Sequence, residues 1–161
     1  MNEQTIQNGQ NQLERIALTK GKIMGVDFGD TRTGLAVCDP SRLLASGIGY
    51  ISPGGIEKTA DAVAELAKEQ RVVALVVGLP VNMDGSEGAR AARCRKFASM
   101  LEERLGLPVA MFDERMTTMT AARYLNETNT RGKKRKTVID TLSAQIILQN
   151  CLDRLTYLTR A

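Results

Sequence analysis

Histidine is absent from all 161 residues. Its absence removes Ser-His-Asp and Cys-His catalysis, histidine-dependent ribonuclease chemistry and the usual zinc hydrolase sites. Any chemistry near neutral pH must come from carboxylates, lysines, backbone amides or a hard metal ion. No apolar run approaches a bilayer span, and Ser52-Pro53-Gly54-Gly55 interrupts the most apolar region. The opening MNEQTIQNGQNQLERIALTK is polar and lacks the apolar core of a signal peptide. It reads as a flexible leader over 1–20, ahead of a single domain over 21–161. Cysteine is scarce and odd in number. Cys38, Cys94 and Cys151 are widely spaced in apolar neighbourhoods, which fits buried thiols in a reducing cytoplasm better than disulfides or a zinc site. No internal repeat recurs at solenoid periods.

What charge there is sits unevenly. The net charge is +4, yet RGKKRK at 131–136 is almost entirely basic, and Arg90, Arg93, Arg95 and Lys96 make a second cluster. Such patches suit a polyanion such as nucleic acid. Either cluster alone reads equally well as solvated surface charge.

Lys22 to Phe28 is apolar and partly β-branched, a strand; DTRTG is turn-like; Gly34 to Cys38 is a second apolar run. Asp39-Pro40-Ser41 marks another turn before a third strand within 43–51, so the three form an antiparallel meander. Ile56, Ala60, Val63 and Ala67 then recur at helical spacing, giving a helix over about 55–69. VVALVVGLP is a continuous apolar strand of the kind buried on both faces of a parallel sheet. A helix over about 87–105 follows, with Ala91, Cys94, Ala98, Leu101 and Leu105 as its buried stripe and Gly106 at its end. PVAMFDE is a fifth strand, and Thr117 or Thr118 can cap a short helix through Tyr124. NETNTRGKKRKT reads as a polar, mobile loop before a final helix over about 138–156. The order describes an α/β mixed five-stranded sheet, three antiparallel strands and then two parallel ones, flanked by helices.

Three acids stand at awkward places. Asp27 ends the first apolar run, where a carboxylate either orders the following turn or binds a cation or phosphate. Asp140 lies four, seven, eight, eleven and fifteen positions before Ala144, Ile147, Leu148, Cys151 and Leu155. On a helix that puts it on the buried stripe, unless it serves only as a favourable charge at the helix start. Asp113 and Glu114 fall at the carboxyl end of a parallel strand, the edge where open α/β sheets place ligands, and alternation does not say which points inward. GLPVNMDGSEGA makes a similar strand-to-helix passage with backbone amides for an anion. Asp27, Glu114 and Asp140 could converge on one rim, where Mg2+ or Mn2+ would neutralise crowded carboxylates. Two such ions ~4 Å apart cleave phosphodiesters without a histidine base.

Four segments in order carry a resemblance: GVDFGDTRTGLAVCDP, VVGLPVNMDGSEGARAARCRKFASML, DERMTTMTAARYL and KTVIDTLSAQIILQNCL. Together they resemble the YqgF family, the RuvX-like nucleases, over about residues 22–158. The resemblance implies an RNase H-like fold related to Holliday junction resolvases, with Asp27, Glu114 and Asp140 as catalytic and metal-binding acids. It implies a metal-dependent nuclease of ribosome maturation in the cytoplasm, acting on the 5′ end of pre-16S rRNA or on the pre-ribosomal particle. Arg32, Asn82, Arg115, Arg131, Lys133, Lys134, Arg135 and Lys136 are the candidate nucleic-acid contacts. The chain is expected to be a monomer or weak homodimer with no membrane partner. The competing readings are a resolvase of branched DNA and a non-catalytic RNA-binding ribosome-assembly factor. A third, an ATP-binding phosphate loop of the actin and sugar-kinase kind, needs a second domain and a second loop that DERMTT does not provide.

Overall fold

A computed structural model describes residues 11–116 and 132–159, with side chains for 11–115 and 141–159. The β-branched and apolar runs form β1 (Ile23–Asp27), β2 (Thr33–Cys38), β3 (Ala45–Ile51), β4 (Ala74–Leu79) and β5 (Val109–Asp113). They make one five-stranded sheet in the order β3-β2-β1-β4-β5. β1–β2 and β2–β3 pair antiparallel, β1–β4 and β4–β5 parallel, as the alternating pattern of turns and helices requires. The parallel pairs need crossovers, which α2 (Ile56–Glu69) and α3 (Ala89–Leu105) supply. α3 stops at Gly106, whose left-handed backbone (φ 65°) closes the helix and returns an N–H to the Glu102 carbonyl.

Alternation along the strands splits the core in two. Met24, Val26, Leu75 and Val77 face α2 and α3, where Val63, Phe97 and Leu101 are fully buried. Ile23, Ala36, Ala74 and Val76 face the last helix, α4 (Gly132–Thr159), through Ala144, Ile147, Leu148 and Cys151. Cys38, Cys94 and Cys151 are all free and buried. Burial pushes the Cys94 thiol up to about 11 and the Cys151 thiol up to about 12, so both stay protonated in the fold.

Three boundaries differ from the sequence expectations. α4 begins at Gly132, not near 138, so KKRK is helical rather than part of a loop. Lysine and arginine are good helix formers, and they extend a helix already nucleated by packing downstream. α3 begins at Ala89, because Glu87 is drawn into an antiparallel bridge with Val81. The stretch read as a leader also packs in part: α1, helical over 11–17, buries Leu13 and Ile16 in the core. Leu13, Ile16 and Ala17 have helical spacing, but a helix this short stands only on tertiary contact. Here Gln12 accepts the edge N–H of Met111 on β5 (3.1 Å), and Arg42 donates to Ile16 O, Thr19 Oγ1 and Gly21 O at the end of α1. The helix expected from Thr117 or Thr118 to Tyr124 lies outside the described residues.

α4 lies hard against β1. A Cβ at Gly25 would sit 2.7 Å from Leu148 Cβ and 2.9 Å from the Ala144 carbonyl oxygen. Backbone cannot swing away as a side chain can, so Gly25→Ala should destabilise the fold by about 1–3 kcal/mol. Urea unfolding reads this directly; an unchanged midpoint would show that α4 rides further from the sheet.

Candidate active site

Asp27 closes β1 on the face that meets α4, because Ile23 and Gly25 point there and side chains alternate. Phe28, the next residue, turns to the opposite face and stacks on Phe97 of α3, with centroids 4.3 Å apart and planes 12° from parallel. Arg93 of α3 pairs with Asp30 (2.9 Å) and lies 6.0 Å from the Phe28 ring. The turn behind Asp27 is therefore clamped to α3, and this holds the carboxylate toward α4.

The last β1–β4 rung is Val26↔Val77, so Asp27 and Gly78 stand side by side one step further on. A Cβ at Gly78 would meet Glu114 Oε1 and Ile147 Cδ1, each at 2.6 Å. Glu114 thus lies across the bare backbone of Gly78, between the sheet and α4, beside Asp27. Sequence alternation left Asp113 and Glu114 undecided; the structure turns Glu114 inward. Asp113 turns out to Arg115, accepting Nε at 3.1 and 3.0 Å, Nη2 at 2.7 Å and the Arg115 backbone N–H at 2.9 Å. Arg115 also donates to the Asn82 carbonyl (3.3 Å), so the pair ties β5 to the passage after β4.

Asp140 lies on α4 one turn before Ala144, and its side chain is outside the described residues. Gln149 bonds the Ala45 N–H (2.9 Å) at the end of the sheet away from Asp27. α4 therefore rises from there toward the Asp27 end as it is traced back to position 140. Among the described residues no group of three His, Cys, Asp or Glu side chains is placed to hold a metal.

Burial raises the Glu114 carboxyl above the ordinary carboxylate range; Arg90 counters that rise and Asp113 adds to it. The fields of Glu114, Asp27 and Asp30 also reach the buried Cys94 thiol and help to raise it. Negative potential is thus concentrated where β1, β4 and β5 end.

The expected nucleic-acid contacts separate. Arg32 lies 5.1 Å from the Tyr50 ring, and Gly34 pairs with both Asp27 and Tyr50, so Arg32 shares the rim. Arg115 is an ion-pair partner of Asp113, and Asn82 builds a turn by donating to Ser86 Oγ (2.9 Å). Arg131 lies outside the described residues; Lys133, Lys134, Arg135 and Lys136 lie on the first turns of α4, their side chains likewise outside. Sequence reasoning missed Gly78. It placed Arg90 only in a basic cluster, and it read Arg115 either as a phosphate contact or as a salt-bridge partner of the acids beside it, the second of which the Asp113 pair matches. A glycine inside the apolar run VVGLP was the available signal, since glycine in a strand marks close approach.

Glu114 makes a pH-dependent prediction. Its folded carboxyl titrates above its unfolded one, so ionisation opposes folding. That cost is absent at acid pH, grows as pH rises from the unfolded to the folded value, and is complete above it. Without divalent cations, Glu114→Gln should therefore gain stability relative to wild type between about pH 4 and pH 8. Parallel urea midpoints across that range would refute the desolvated placement.

Residues 21–154 fit the profile of the RuvX family, described as Holliday junction resolvase. A Rhodopirellula baltica protein is 40% identical over 85% of this chain and 79% of its own length. One from Pelotomaculum thermopropionicum is 44% identical over 82% and 86%. Both carry the name "Putative pre-16S rRNA nuclease". Among solved structures, T. thermophilus RuvC bound to a Holliday junction superposes with a TM-score of 0.55 at 16% identity, covering 84% of this chain and 96% of that one. The yeast mitochondrial resolvase Ydc2 gives 0.50 at 12% identity, over 92% and 87%. The fold is RNase H-like, and the chain belongs to the RuvX (YqgF) family.

Proposed function

We propose that this chain is a divalent-metal-dependent endonuclease that matures the 5′ end of pre-16S rRNA in the cytoplasm. The observation that carries the reading is the Glu114 carboxylate laid over Gly78 beside Asp27 at the carboxyl edge of the sheet. A half-buried acid in that place is unfavourable by itself, and Arg90 offsets it only in part. The donor set is all carboxylate oxygen, which suits Mg2+ or Mn2+, and the missing Cβ of Gly78 makes the room. Asp27, Glu114 and Asp140 would hold the metal, which would activate water and neutralise charge on the phosphodiester.

The remaining work falls to the chain's own groups. The Phe28–Phe97 stack and the Arg93–Asp30 pair keep Asp27 aimed at α4. The Asp113–Arg115 pair removes the competing acid and leaves Glu114 facing inward. Arg90 and Arg32 lie at the same end of the sheet, where they can take phosphate oxygens along the substrate backbone. Residues 133–136 add four basic residues to the first turns of α4. The names of the curated relatives support the rRNA substrate. The family's description as Holliday junction resolvase favours branched DNA as the second reading.

End-labelled precursor rRNA and a four-way DNA junction, incubated side by side with Mg2+ or Mn2+, test both. Wild type should cut the rRNA, and identically purified Asp27→Asn should lose at least a hundredfold of that rate, the scale of losing a main electrostatic element of a site. Preferential cutting of the junction would transfer the assignment to branched DNA. Binding without cutting, by wild type in either metal, would make the chain an RNA-binding assembly factor.

A further inference from the structure

The passage from β4 to α3, residues 80–88, is more ordered than a connection needs to be. Val81 and Glu87 form an antiparallel bridge. The Asn82 N–H donates to Ser86 O and the Gly85 N–H to Asn82 O, both at 2.9 Å. Asn82 Nδ2 donates to Ser86 Oγ (2.9 Å), while the Ser86 N–H and Oγ donate to Asp84 Oδ1 at 2.9 and 2.6 Å. Arg115 bonds the Asn82 carbonyl on one flank, and Arg95 forks onto Glu87 (2.6 and 2.9 Å) on the other. The result is a braced finger fastened to the segment that carries Glu114.

Its tip is Met83, 92% exposed. Turns of this kind are filled by Asn, Asp, Gly and Ser, as the neighbours Asn82, Asp84, Gly85 and Ser86 show. Asp84 folds its carboxylate back onto Ser86, so what the tip presents to solvent is a thioether chain rather than a charge. A lone exposed apolar side chain is ordinary. One held out on a braced turn, fastened by Arg115 one residue from Glu114, is placed for contact. Methionine is unbranched and polarizable, and methionine is among the side chains that wedge between base steps and unstack them.

We propose that Met83 is such a wedge: the finger enters the base stack of the bound nucleic acid beside the phosphodiester that Asp27 and Glu114 face. The proposal rests on the nuclease reading and adds what that reading lacks, a device that selects substrate by how readily a step unstacks. Deformable or already unpaired steps would be favoured at that position, with no base-edge hydrogen bond from Met83.

Two probes carry 2-aminopurine, which brightens when unstacked: a four-way DNA junction labelled beside the branch, and an RNA hairpin labelled beside a bulge. Both are bound in Mg2+ by the Asp27→Asn protein, which should hold them uncut. Fluorescence should rise several-fold on binding at least one probe. Adding Met83→Ala should return it nearly to the free-probe level while affinity, read by anisotropy, changes less than tenfold. Met83→Leu should keep the rise, since it restores an apolar wedge. The side chain is exposed, so the thermal melt should be the same for all three proteins. A rise as large with Met83→Ala, or no rise in any bound probe, overturns the wedge and leaves the nuclease reading standing. Failure of wild type to bind either probe overturns both.

Discussion

Everything at the site depends on how closely α4 approaches the sheet. Three glycines lie beneath it, Gly47 on β3, Gly25 on β1 and Gly78 on β4. A Cβ at each would run into Thr141, Leu148 with Ala144, and Ile147 with Glu114 respectively. A helix over side chains rides well above a sheet; over bare backbone it sinks. The sunken helix brings Ala144 and Leu148 onto β1 and Ile147 onto β4, contacts that a helix at ordinary distance would not make. At Gly78 two groups share one opening, because Glu114 uses the same bare backbone that α4 does.

Concentrating acids at such an edge is unfavourable, and the surrounding residues show how the fold tolerates it. Asp113 is taken out of the site by Arg115, Asp30 by Arg93, and Glu87 by Arg95. Arg90 faces Glu114 without erasing its raised proton affinity. The Arg93–Asp30 pair is largely exposed and the other two are partly so, and the worth of all three lies less in stability than in direction. Asp113, Asp30 and Glu87 each point at an arginine, while Glu114 faces inward. The arginines that sequence reading took as a phosphate patch are therefore divided: several are spent on geometry, and the positive surface is narrower than the composition suggests.

The two passages that frame the site are held from opposite sides. Behind Asp27, an aromatic stack on α3 fixes the hairpin. After β4, a turn of side-chain and backbone hydrogen bonds fixes the finger that carries Met83. Both bear on the first half of α3, so one helix sets the spacing between the acid and the finger. That shared support braces the two connections that flank the site.

The five strands, their order of types and the two crossover helices were legible because each element carries its own period and its own turn chemistry. The acids stood out as candidates for a similar reason: a carboxylate at the end of an apolar run, or on an apolar helical stripe, breaks a local pattern. Nothing local distinguishes Asp113 from Glu114. That choice belongs to Arg115 and Gly78, one of them from a different strand, and exists only once β4 and β5 are paired. Residues 11–17 and 132–137 were misread because short or charged segments become helices by docking or by extension, not by periodicity. Sequence by itself determined which groups could do chemistry here, since side-chain type and local spacing are properties of the chain. Tertiary structure decided which of them face one another, because that depends on how near two backbones can come where no Cβ intervenes.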